Sequence, residues 1–226
     1  MTSNPDHAAL PDVPHPTPTG GSPLVQAVQA LEGTAALDTV GAVLSRLSTP
    51  VTRSPGLRGL LQGRGVGHAI HPPLTDVPVG LWTSAVVLDL IGGVGSREAA
   101  RKLLGAGLLA AVPTAATGFA EWHDTGNPER RVGSAHALLN TAALGLLGSS
   151  WVSRGRGRHG VGVASALAGM AVATASAFLG GHLATARKVG TRDAAFGRDG
   201  VGPTLSRPAP TTGVGVTPGS DDPVTD

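Results

Sequence analysis

The residues of this chain best suited to chemistry are its imidazoles. His68, His71, His123, His136 and His182 recur through the middle of the sequence, with Asp76, Glu121, Asp124 and Asn140 close to them. Imidazole is the commonest protein ligand for transition metals, and carboxylates serve as ligands or orient the ligating rings. His136 and Asn140 are four residues apart, so on a helix they project from one face. Two readings are open. In one, His71, His136 and His182 hold a b-type haem or a transition metal, with His68 and His123 as further metal ligands. In the other, the His/Asp/Glu layer is a hydrogen-bonded cap that ties helices together. No HExxH-type spacing favours one metal. The absence of cysteine excludes Cys-ligated zinc, an ordinary iron–sulfur cluster and covalent haem attachment in this chain.

Helices must bring these residues together. Four apolar stretches, 74–94, 103–122, 132–152 and 160–184, each have about the twenty residues that cross a 30 Å hydrocarbon core at 1.5 Å per residue. Arginine-bearing loops separate them, which predicts two antiparallel hairpins. With an even number of spans, both termini share one side. The start of the first span, the end of the second, the start of the third and the end of the fourth share it too. All five histidines then fall on one membrane face, and the opposite loops hold only His159. Asp89 lies deeper, near the far end of the first span. An intramembrane Asp costs roughly 2.5–3.5 kcal/mol at helix centre, so it is expected to face the bundle and pair with Ser or Thr, or with Arg101 or Lys102. A proton relay is the sharper alternative. Trp82, Trp122 and Trp151 are expected near the interfaces, and Pro113 is tolerated inside a membrane helix. The fourth span carries small residues at Ser165, Gly169, Ala173, Ala177 and Gly181, a face that a neighbouring helix can approach closely.

Composition agrees. Only 14% of the 226 residues are charged and 3% aromatic, with 34 glycines, against about 25% charged in a typical soluble domain. A core of Ala, Gly, Leu and Val suits close packing in lipid, although a GC-rich genome gives a similar bias. The mean hydropathy of +0.13 averages unlike parts. Residues 1–23 and 200–226 are Pro/Gly/Ser/Thr-rich, and 1–23 and 191–226 read as disordered tails. Residues 24–48 carry apolar side chains at helical spacing and predict an amphipathic helix, with a break expected at Gly33. Residues 49–73 read as a loop, and 74–190 as the transmembrane domain. The expected fold is all-α: a four-helix transmembrane bundle with an N-terminal amphipathic helix. The pI near 9.9 comes from dispersed arginines, so no nucleic-acid partner is expected. The N-terminus lacks the pattern of a secretory signal. No nucleophile elbow, P-loop or dinucleotide fingerprint occurs, and no independent catalytic activity is expected.

The stretches HPPLTDVPVGLWTSAVVLDLIGG (71–93), TGFAEWHDT (117–125), ERRVGSAHALLNTAAL (129–144) and LGGHLATARKVG (179–190) resemble a bacterial membrane-protein family known as domain of unknown function 2231. The resemblance spans about residues 60–190. It implies histidines at the places of His68, His71, His136 and His182, and aspartates at those of Asp76 and Asp89. Some relatives carry a Rieske domain, which implies a link to electron transfer. This chain would then need a separate redox partner protein. The expected setting is the bacterial plasma membrane, with the lipid bilayer as partner and a homo-oligomer open. Arginine and lysine are nearly balanced between the two faces. Both termini are placed in the cytoplasm because the tails lack a signal sequence. Three functions are open: a redox-associated haem or metal protein, a non-enzymatic scaffold or partner subunit, and a small proton-coupled transporter using Asp89.

Overall fold

The computed structural model describes residues 21–192, whose regular elements are all helices, with one isolated antiparallel bridge between His68 and Thr191. Seven α-helices follow one another: α1 (Pro23–Gly33), α2 (Leu37–Thr52), α3 (Pro55–Leu61), α4 (His71–Ile91), α5 (Arg97–His123), α6 (Asn127–Gly155) and α7 (His159–Gly181). A π-turn, His182–Ala186, extends α7. The tails expected at 1–23 and 191–226 lie, but for residues 21–23 and 191–192, outside the described residues.

Local chemistry sets the helix starts. Ser22 and Ser54 accept hydrogen bonds from Val25 N and Leu57 N, with Pro23 and Pro55 following. α4 and α6 open with Pro72–Pro73 and Pro128, where a missing N–H costs nothing. Pro78 and Pro113 lie inside α4 and α5 without ending them. The segment read as one amphipathic helix is two, broken at residues 34–36. The stretch 49–73, expected to be a loop, contains the end of α2, all of α3 and the first turn of α4. Pro55 stands at the first position of α3, where it favours a helix.

α4 packs on α5, α5 on α6, α6 on α7, and α7 back on α4. The contact faces are lined with small residues: Ala85, Ala100, Ala120 and Ala166 are fully buried, with Leu104 and Leu147 filling between them. Large apolar side chains point outward instead. Leu109 is 75% exposed, Val112 69% and Ile91 81%, the arrangement of helices whose solvent is lipid. Three helices are long and apolar enough to cross a membrane: His71–Ile91, Val94–His123 and His159–Ala186. Four were expected. α6 is long enough at 29 residues, but His136, Asn140 and its arginines and serines dilute its apolarity. Several of these turn inward: Ser134, Ser150 and Arg154 are buried. Ala177 and Gly181 of the small-residue face of α7 are exposed, whereas the first part of that face packs on α6 within the chain. There Ser165 Oγ donates to Leu146 O (2.7 Å), and a Cβ on Gly169 would stand 3.0 Å from Leu147.

α1 and α2 dock across one end, on α6 and α5. Val28 of α1 is buried with Val132, Ala135 and Leu179. Two glycines shape the same end. Gly63 has φ +65° and a Cβ there would meet His68 O at 2.4 Å. Gly190 has φ +91° and would meet Ala69 at 2.5 Å. Only glycine adopts both conformations without strain.

Candidate functional site

α4 and α6 each deliver one imidazole to a cavity of about 300 Å³. The walls are apolar, from Ala115, Phe119, Leu144 and Leu183, and Leu44 of α2 reaches in from the docked end. His71 and His136 both line it and lie within electrostatic reach of each other.

Backbone carbonyls fix both rings. His71 Nδ1–H donates to Thr114 O (2.9 Å), with Thr117 Oγ1 at 3.1 Å. His136 Nδ1–H donates to Ser176 O (2.8 Å), with Ser176 Oγ at 2.9 Å. A carbonyl oxygen only accepts, so Nδ1 carries the proton and Nε2 of a neutral ring keeps its lone pair. The Nε2 of His71 bonds to none of the described residues. The Nε2 of His136 accepts from Asn140 Nδ2 at 3.0 Å. Glycine makes room for each ring: a Cβ on Gly118 would stand 2.8 Å from His71 Cε1, and one on Gly180 would stand 2.9 Å from His136 Cε1. Two electron-pair donors thus share an apolar cavity, an arrangement that can ligate a metal macrocycle or accept hydrogen bonds.

The other three histidines go elsewhere. His182 Nε2 donates to Glu32 Oε1 at 3.2 Å, and Arg187 pairs with the same carboxylate. This network holds α1. Burial works against the Glu32 carboxylate, but hydrogen bonds from Arg187 and His182 outweigh it and hold its pKa below the ordinary 4.5. His123 Nδ1 donates to its neighbour Asp124 Oδ1 (2.8 Å), and His68 Nδ1 to Ala69 O (3.0 Å). The five-histidine metal layer is therefore not assembled. Among the described residues no three His, Asp or Glu side chains gather as an ion would need. The sequence places these histidines at one level, but their helical faces differ.

Of the acids, Glu121 lines the cavity edge and is paired with Arg192. Asp124 accepts from the fully buried Gln62 (2.7 Å), whose Nε2 also donates to Ala120 O (2.7 Å). Burial opposes the Asp124 charge, yet bonds from His123 and Gln62 hold its pKa below the ordinary value. Asp76 is exposed on α4.

Asp89 meets neither Arg101 nor Lys102. Arg154 of α6 grips it with both terminal nitrogens, at 2.6 and 2.5 Å, and the two side chains are 2% and 1% exposed. Ser150 Oγ accepts from Arg154 Nε (3.1 Å) and donates to Gly162 O (2.6 Å). Arg101 instead lies over the Trp151 ring, 4.9 Å from its centroid, and Lys102 pairs with Glu98. Of the tryptophans expected at the interfaces, Trp151 is partly exposed, while Trp82 and Trp122 are buried. Trp122 donates to Arg130 O (3.0 Å) and carries the Arg130 guanidinium on its face. Sequence reasoning assigned no partner role to Arg154, Gln62, Thr114 or Ser176. An arginine in the last turn of a long helix, beyond the apolar stretch 142–148, was the one available signal.

Neither the curated proteins nor the solved structures contain a match to this chain. A family model described as "Predicted membrane protein (DUF2231)" matches residues 67–193, which include every residue of the cavity but Leu44. That match covers more than half of the 226 residues, and the chain belongs to this family of predicted membrane proteins.

Proposed function

We propose that this protein is a four-span membrane protein that binds a b-type haem between His71 and His136 and serves as a redox subunit. One observation carries the proposal: imidazoles from two different helices line one apolar cavity, each with Nδ1 held by a carbonyl, so that Nε2 is the nitrogen left to ligate, freely in His71 and on release of Asn140 in His136. A bare ion needs about four ligands, and only two are gathered. A haem supplies four nitrogens itself and asks the protein for axial ligands alone. A carbonyl on Nδ1 also fixes the ring and raises the basicity of Nε2. When bound, the haem would supply reversible one-electron chemistry, while this chain would hold it, orient the rings and exclude water.

α6 would be the fourth span, its polar residues turned toward the cavity and toward Asp89. Both termini would then share one side, and a separate protein would exchange electrons with the haem. The test is an absorption spectrum of the detergent-purified full chain, oxidised and reduced. A Soret band in the wild type that His136→Ala shifts in position and spin state supports the proposal. Folded, colourless protein would refute it.

A second reading has its own observation. Asn140 already satisfies His136 Nε2, as it would in a hydrogen-bonded cap within a scaffold or partner subunit. In that case His136→Ala lowers thermal stability and changes no spectrum. The transporter reading finds no comparable support, because Asp89 is fully engaged by Arg154.

A further inference from the structure

We infer that α4–α5 and α6–α7 are two copies of one helical hairpin, and that the cavity therefore offers its ligand two equivalent imidazoles. This rests on the haem reading above and deepens it. A haem held here would take one imidazole from each copy, His71 and His136, and would supply electron exchange rather than dioxygen chemistry.

The equivalence is residue by residue. An offset of 65 carries His71 onto His136. It also carries the three buried residues of α4, Pro78, Trp82 and Ala85, onto Ala143, Leu147 and Ser150, all buried in α6. The same offset carries Asp89 onto Arg154, its own ion-pair partner. An offset of 62 relates the other two helices. All five buried residues of α7 have buried counterparts in α5. Thus Gly162, Ala166 and Gly169 correspond to Ala100, Leu104 and Gly107, and Ser176 and Leu179 to Thr114 and Thr117.

The same offsets relate the details of the site. Thr114 O holds His71, and its counterpart Ser176 O holds His136, at distances within 0.1 Å of each other (2.9 and 2.8 Å). Gly118 lies against the first ring and its counterpart Gly180 against the second. Eighteen residues, five full turns, separate each histidine from the charged residue on the same stripe. One half-site, used twice, accounts for all of this. Neither ring is set apart for a distal, non-ligating role, since both have the same carbonyl on Nδ1. Two details differ: the hydroxyl beside Nδ1 comes from Thr117 in one copy and Ser176 in the other, and the counterpart of Asn140, Thr75, instead donates to Pro72 O (2.6 Å). Ligation by His136 requires Asn140 to turn away from Nε2.

Carbon monoxide added to the reduced, full-length, haem-containing protein tests this. Wild type is expected to show a six-coordinate low-spin spectrum that carbon monoxide leaves unchanged. His71→Ala and His136→Ala should each become high-spin and bind it. Should either variant fail to accumulate, electron paramagnetic resonance of the oxidised wild type reports two imidazole ligands without any substitution. Prompt carbon monoxide binding by wild type, or a change of ligation in only one variant, overturns the equivalence and leaves haem binding standing. Folded protein without haem removes the proposed function and this inference with it.

Discussion

The Asp89–Arg154 pair gives the sharpest test of how the two hairpins are joined. Its side chains are 1% and 2% exposed and doubly bonded, with Ser150 holding the remaining guanidinium nitrogen. Removing one partner of a buried pair leaves the other charge uncompensated, at a cost of about 3–5 kcal/mol. Asp89→Asn and Arg154→Gln should each destabilise by about that much, and the double variant by far less than their sum. A coupling of about 2 kcal/mol or more is expected from the full cycle, measured by unfolding in one detergent at one temperature. The duplication adds a stricter condition. Because the positions are equivalent, exchanging the charges with Asp89→Arg and Arg154→Asp should restore part of the loss. The recovery should be incomplete, because Arg154 lies over Gly162, where a Cβ would stand 2.6 Å from its Cγ. The counterpart of Gly162 is Ala100, so adding Ala100→Gly to the exchanged pair should improve it further. A coupling below about 0.5 kcal/mol would refute the reasoning about the pair. An exchange no better than the single variants would refute the equivalence of the two ends.

Other outcomes follow from single contacts. Gly118→Ala should displace the His71 ring, weaken haem retention and cost about 1–3 kcal/mol as overpacking, read from Soret absorbance per protein and from Tm. Gly107→Ala should destabilise clearly, because its Cβ would stand 2.3 Å from the buried Trp82. Gly105→Ala meets the partly exposed Trp151, which can move, and should cost little in the same melting assay. Gln62→Leu leaves Ala120 O without its side-chain donor and should lose about 1–3 kcal/mol. The α1 latch should respond to acid. The folded pKa of Glu32 is below 4.5, so its contribution is complete above that value and is lost as pH falls through the lower folded value. Hydrogen exchange at Val28 should accelerate in that window, and Glu32→Gln should remove the pH dependence.

The sequence by itself determined what is local. Twenty-residue apolar runs, prolines at helix starts and small residues in place of aromatic ones specified helices for a lipid solvent. The alternation of spans placed five histidines at one level. Periodicity also carried the 18-residue spacing from His71 to Asp89 and from His136 to Arg154, although neither was informative until the helices were seen to face each other. Tertiary structure decided which of these groups meet. A histidine's level follows from its position along a helix, but its neighbours follow from how that helix is rotated and packed. Rotation turned His71 and His136 into one cavity. Packing gave His182 to Glu32 of α1 and His123 to Asp124 at the rim. It likewise gave Asp89 to Arg154 of α6, rather than to Arg101 or Lys102. Apolar runs reveal how deep a residue lies, whereas a polar partner is chosen across helices, by contacts that no local pattern encodes.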